Sequence, residues 1–173
     1  MMLKVLFTGF ICLITLPLLA SAGILAKHLG CSFASDDADA GSIEWLDIET
    51  ASDRNKDDKK FFFIDIYTDW CGWCKKMDQS TFQDSSVVEY MNEHFYAVKM
   101  NAESKEPVAY KEVLYEYKMY NGKGYNELAV NLLSGKMSFP SFVILSKKEV
   151  RLGTIVGFQK PAELLEELKK YTN

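Results

Sequence analysis

Only two histidines, His28 and His94, occur in the 173 residues, and the four cysteines include a single C-x-x-C pair, Cys71 and Cys74. A structural zinc site needs four ligands, usually a second such pair or two spaced histidines, so a metal reading has nothing to build on. Basic charge is also in short supply. Twenty Lys and Arg against 24 Asp and Glu give a net charge of −4, which argues against a nucleic-acid surface. There is no internal repeat and no sign of a coiled coil or a disordered chain. With 48% hydrophobic and 25% charged residues, the composition is that of a soluble globular protein of one domain.

One long apolar run is present, at residues 5–26 between Lys4 and Lys27. A basic start, an apolar stretch and then Ala20-Ser21-Ala22 have the form of a secretory signal, so residues 1–22 are expected to be a cleaved signal peptide. Two alternatives stay open. The run is long enough for an uncleaved membrane anchor. "HLGC" ending at Cys31 has the outline of a lipidation site, although His28 stands where an apolar residue is usual. Each reading places the domain outside the cytoplasm, periplasmic or otherwise exported. Residues 23–41, small and acidic, read as a tether, and the folded domain is expected over 42–173.

Within that domain "SIEWL" fits a short edge strand, followed by a polar helix over 47–58. "FFFIDIY" is a strand apolar on both faces. A helix is expected from the CGWC segment to Gln79. Another is expected over 85–93, with Ser86 and Glu89 as a capping box. "HFYAVKMN" is a second strand. Residues 105–120 place Val108, Val113, Leu114 and Tyr117 near one helical face, and a further helical piece follows "NGKG" over 125–133. "PSFVILS" and "EVRLGTIV" form a hairpin, and Pro161 opens a last helix. The order implies a mixed α/β sheet covered on both sides.

A cysteine attacks a disulfide only as the thiolate, so its pKa must fall from about 8.5 toward neutrality. The start of a helix supplies this through unpaired N–H groups and the positive end of the helix dipole. Cys71 follows a strand and opens a helix, so it is expected to be the exposed attacking thiol. Cys74, one turn inward, would be shielded and would resolve the mixed disulfide. Two inert core thiols fit poorly, because Gly72 and the flanking charges mark a surface turn. His94 reads as structural.

At this point the chain resembles the thioredoxin superfamily from about Glu44 to the C-terminus. "FIDIYTDWCGWCKKMD" is similar to that family's active-site strand and helix, and "AVKMN" to its next strand. "SFPSFVIL" matches its cis-proline segment, and "VGFQKPAELLEELKK" its closing turn and helix. The wording is nearest to secreted bacterial thioredoxin-like proteins and to the periplasmic C-terminal domain of transmembrane thiol:disulfide interchange reductases. The resemblance implies a thioredoxin-like mixed sheet of four to five strands flanked by helices. It makes Cys71–Cys74 a redox-active disulfide, Asp65 the buried acid and Lys99 its neighbour. It also implies a substrate groove of Trp70, Gly72, Trp73, Phe139 and Pro140, with Pro140 in cis.

Read from the residues alone, alternatives remain. Lys99 fits a solvated strand lysine nearly as well, Pro140 a simple strand start, and Trp73 either packing or a substrate-facing ring. Asp65, between Ile64 and Ile66, sits in a run too apolar for an exposed face. Burial would raise its pKa and suit it to take the Cys74 proton.

The chain departs from the family over 102–138, roughly twice the ordinary connection, with typical loops being about 2–6 residues. A helical insertion before the cis-proline strand is expected there, either a packed helix pair or a lid. The function implied is an extracytoplasmic thiol–disulfide oxidoreductase that reduces protein disulfides, apocytochrome thiols or misoxidised secreted proteins among them. A membrane thiol–disulfide reductase would be its electron donor. No cofactor and no metal are implied, and the protein is expected to be a monomer. A disulfide oxidase or isomerase is the alternative within the same chemistry, and a binding or chaperone-like module without turnover is the alternative outside it.

Overall fold

The computed structural model describes residues 41–173. The expected signal peptide at 1–22, Cys31 and all but the last residue of the tether at 23–41 lie outside the described residues.

The chain runs through β1 (Trp45–Leu46), α1 (Ile48–Asp57), β2 (Phe61–Tyr67), α2 (Gly72–Gln79), α3 (Ser85–His94) and β3 (Phe95–Asn101). After residues 102–138 come β8 (Ser141–Leu145), β9 (Arg151–Val156) and α5 (Pro161–Thr172). These strands form one mixed sheet in the order β1-β3-β2-β8-β9. β1 and β2 lie parallel to β3, whereas β8 is antiparallel to β2 and to β9. The fold is thioredoxin-like, as expected.

β2 occupies the middle because it is apolar on both sides, and Phe62 to Ile66 are all buried. Successive strand residues point to opposite faces. Phe62, Ile64 and Ile66 therefore pack with α1 on one side. Phe63 packs with Met77, Val87, Met91, Leu164 and Leu168 from the helices of the other side. Asp65 belongs to the Phe63 face by the same alternation, and so does Lys99 on β3, beyond Phe95 and Ala97. Buried large side chains of this kind stabilise by roughly 1.5–3 kcal/mol each, and here they fix a layer into which two charged residues point.

Two expectations are corrected. The helix over 105–120 is absent. In its place stand two hairpins, β4 (Val108–Tyr110) with β5 (Val113–Tyr115) and β6 (Tyr117–Tyr120) with β7 (Lys123–Asn126). Only the later helical piece forms, as α4 (Glu127–Leu132). Part of the physical reason is local. The run of Val and Tyr favours a pleated, half-buried surface. Both turns also use two consecutive residues of positive φ, Lys111 (50°) with Glu112 (64°) and Asn121 (50°) with Gly122 (79°). Asn-Gly is the strongest two-residue hairpin signal, so "NGKG" is a turn between strands and not a break after a helix. Gly124 leaves space for the Tyr117 ring, whose Oη would lie 1.8 Å from any added Cβ.

The cap of α3 is the second correction. Asp84 accepts the N–H groups of Ser86 and Val87, so Ser86 lies inside the helix.

Candidate active site

β2 ends at Tyr67, and the N–H of Cys71 closes a turn onto the Thr68 carbonyl at 3.1 Å. Cys71 is then the N-cap of α2, and its Sγ accepts the Cys74 N–H at 3.1 Å. The two cysteines are joined as a disulfide. Cys71 therefore sits where unpaired N–H groups and the helix dipole favour a negative sulfur. The expected contrast in exposure does not hold in this oxidised form. Cys71 is 4% exposed and Cys74 3%. Position at the helix terminus, and not accessibility, distinguishes them.

Two indoles flank the pair. Trp70 is 61% exposed, and its Nε1 donates to both carboxylate oxygens of Glu103 at 3.0 and 3.1 Å. Its ring meets Phe139 edge-on at 5.9 Å. Phe139 joins Pro140 through a cis peptide bond and touches Tyr125 of β7 at 6.3 Å. The structure thus brings the Phe139–Pro140 loop beside the CGWC turn, and Pro140 is buried while its carbonyl accepts the Gly157 N–H at 2.9 Å. Trp73 is 58% exposed and leans on Phe158 at 5.4 Å. Its ring is both packed on one side and open on the other. At Gly72 an added Cβ would meet nothing within 4 Å, so no contact within the chain demands glycine there. His94 packs on Tyr90, 4.3 Å between rings, outside these contacts.

Asp65 and Lys99 are register partners across β2 and β3. Asp65 is 2% exposed, and its Oδ2 lies 3.2 Å from Lys99 Nζ while its Oδ1 has no hydrogen-bond partner. Burial pushes the Asp65 carboxyl up to about 6, Lys99 pulls it back, and a second carboxylate, Asp78, pushes it further up. Asp78 lies on α2 and is in direct contact with the same ammonium. Lys99 is also held by rings, 4.6 Å from the centre of Trp45 and 5.4 Å from that of Tyr67. It is a part-buried ion-pair partner of Asp65 and not a solvated strand lysine.

Sequence reasoning missed Asp78, Trp45 and Glu103. Asp78 carried a usable signal, since it stands four residues after Cys74 and so shares its helix face. Nothing in the local pattern around Glu103 marks it.

The family model described as "Thioredox_DsbH: Protein of unknown function, DUF255" matches residues 34–171. The chain belongs to this thioredoxin-like family. Among solved structures it is similar to a DsbH oxidoreductase, with a TM-score of 0.56 at 18% identity over 88% of this chain and 94% of that one. A thioredoxin from Thermus thermophilus gives a TM-score of 0.56 at 19% identity, covering 75% and 87% of the two chains. A candidate disulphide-isomerase from Bacteroides thetaiotaomicron gives 0.52 at 25% identity, covering 74% and 89%. An uncharacterized Caenorhabditis elegans protein, B0495.5, is 27% identical over 67 residues, which is 38% of this chain but 9% of that protein. The family match thus spans the domain from before β1 to within α5.

Proposed function

We propose that the protein is an extracytoplasmic thiol–disulfide oxidoreductase that reduces protein disulfides. The observation that carries the reading is Cys71 at the N-cap of α2, bonded to Cys74 one turn in, beside a cis-proline loop. In the reduced form the Cys71 thiolate attacks one sulfur of a substrate disulfide. A Cys71–substrate bond forms, the substrate S–S bond breaks, and the first substrate sulfur leaves as a thiolate that takes a proton. Cys74 then gives its proton to Asp65 and attacks Cys71 Sγ. The mixed disulfide breaks, the second substrate thiolate leaves, and the substrate has gained the two electrons that the Cys71–Cys74 pair has lost. Lys99 orients Asp65.

Trp70, Trp73 and Phe139 flank the surface on which an extended substrate would lie, beside the buried cis-Pro140 and the exposed Gly72. Regeneration needs a dithiol donor. For an exported domain this implies a membrane thiol–disulfide reductase, and the apolar run after Lys4 is what supports export or anchoring. The fold shared with a DsbH oxidoreductase and with a candidate disulphide-isomerase supports the same class of chemistry.

Reduction of insulin by the protein, with dithiothreitol as electron source, tests the reading. Wild type should accelerate precipitation of the insulin B chain, Cys71→Ser should be inert, and Cys74→Ser should accumulate a mixed disulfide through Cys71. Equal rates for wild type and Cys71→Ser would leave a binding module without turnover.

A further inference from the structure

Two carboxylates converge on one ammonium. Lys99 Nζ lies 3.2 Å from Asp65 Oδ2 and touches Asp78 Oδ1, so the trio carries a net charge of −1 when all three are ionised. The members differ in access to water. Asp65 is buried, with Oδ1 unpartnered, whereas the Asp78 side chain is 40% exposed. Asp78 also stands in the last turn of α2, which ends at Gln79. A carboxylate there opposes the helix dipole, which favours cations at that end. Its contact with Lys99 offsets that cost, and it places on one helix face both the resolving sulfur of Cys74 and a charge aimed at the partner of Asp65.

The geometry points to Asp78 as a positioning residue for the proton transfer, one that draws on the charge of Lys99 so that Asp65 Oδ1 stays basic enough to take the Cys74 proton. The inference rests on the reaction proposed above. Burial favours the neutral carboxyl of Asp65, and the Lys99 ammonium opposes it by favouring the ionised form. A group that must accept a proton and return it near neutral pH works best with a proton affinity close to the working pH. Burial is the largest cause that holds the Asp65 carboxyl up, and Asp78 adds to it in the same direction.

Few other charges face this spot. β2 contributes Tyr67, whose ring is 5.4 Å from Lys99 Nζ. α2 contributes the two cysteines. β8 offers Phe142 as the register partner of Asp65, and β1 and the 3-10 turn (Thr81–Gln83) offer the rings of Trp45 and Phe82. Asp69 is turned to Asn101 at 3.2 Å.

The test is a carbon-13 NMR titration of the Asp65 carboxyl in the oxidised 173-residue chain, for wild type, Asp78→Asn, Asp78→Ser and Lys99→Met. Two oxygens that share one ammonium lie within about 6 Å, where unit charges shift each other by about 0.5–2 pH units between watery and protein-like dielectrics. The Asp65 midpoint should therefore fall by that amount in both Asp78 variants and rise in Lys99→Met. The acid limb of the Cys74-dependent release step, followed by stopped flow, should move the same way in Asp78→Asn and vanish in Asp65→Asn. A midpoint that stays put or rises in both Asp78 variants overturns the inference, whatever the activity. A midpoint that falls while the release limb stays fixed overturns the positioning role. If wild type has no turnover at all, the proposed reaction fails, and the titration still decides whether Asp78 tunes Asp65.

Discussion

At the scale of single residues, Asp65 is where stability and chemistry pull against each other. Its carboxyl is raised from 3.8 to about 6 because burial penalises the charged form. The native state therefore holds the proton over a pH range in which the unfolded chain has released it. Its contribution to stability is full below about pH 4, falls as pH rises toward 6, and is then lost, a difference of about 3 kcal/mol for a shift of roughly 2 units. Asp65→Asn removes the ionisation and keeps the shape, and Lys99 retains Asp78 as a partner. Urea unfolding should find the variant equal to wild type near pH 4 and more stable by about 1–3 kcal/mol near pH 7. Resolution of the mixed disulfide should slow about 10-fold or more, in line with the usual worth of a general base. A variant no more stable near pH 7 than wild type would mean that the carboxylate is better solvated than its burial implies.

The element that sets this domain apart is the pair of hairpins and the helix after them. Their polar centre is Asn126, fully buried at the end of β7. Its Oδ1 accepts the Leu128 N–H at 3.0 Å and caps α4. Its Nδ2 donates to the carbonyls of Glu106 and Tyr115, each at 3.3 Å, and its own N–H reaches the Ala102 carbonyl at 2.8 Å. One amide thus ties the end of the β3 loop, the first hairpin and α4 together. Asn126→Ala deletes a cap and removes the donor to two part-buried carbonyls, so it should destabilise by about 1–3 kcal/mol. Hydrogen exchange should quicken across β4 to α4 and leave β2 and β3 protected, because those strands are held by the opposite core layer as well. Uniform loss of protection would show that the hairpins are integral to the sheet domain and not a stabilised addition to it.

For the molecule as a whole, the charge around the dithiol bears on its reduction potential. Strong oxidants of this chemistry stabilise their reduced, thiolate form. Here the terminus of α2 favours the Cys71 thiolate, but the Asp65–Lys99–Asp78 trio contributes net negative charge beside α2. The reduced form is correspondingly less favoured. Equilibration with glutathione buffers should give a value nearer the thioredoxin figure of about −270 mV than the strong oxidant figure of about −120 mV. A result above about −170 mV would turn the reading from reductase to oxidase.

The sequence by itself determined the sheet, its order of elements and the redox pair. β2 could be read because six of seven consecutive residues are apolar, on both faces, and α2 because C-x-x-C follows a strand directly. Pro161 at the start of α5 was equally legible, since proline is preorganised for a first helical turn. The hairpins between residues 108 and 126 were misread because helical spacing of four apolar residues and strand propensity of the same residues compete. Tertiary contacts with α1 and the sheet decided between them. The role of Lys99 likewise depended on the register that sets it opposite Asp65, and that of Asp78 on the packing of α2 across the sheet. Spacing along a chain reports which face a side chain takes, but an ion trio drawn from two strands and a helix exists only once long-range packing has set their separation.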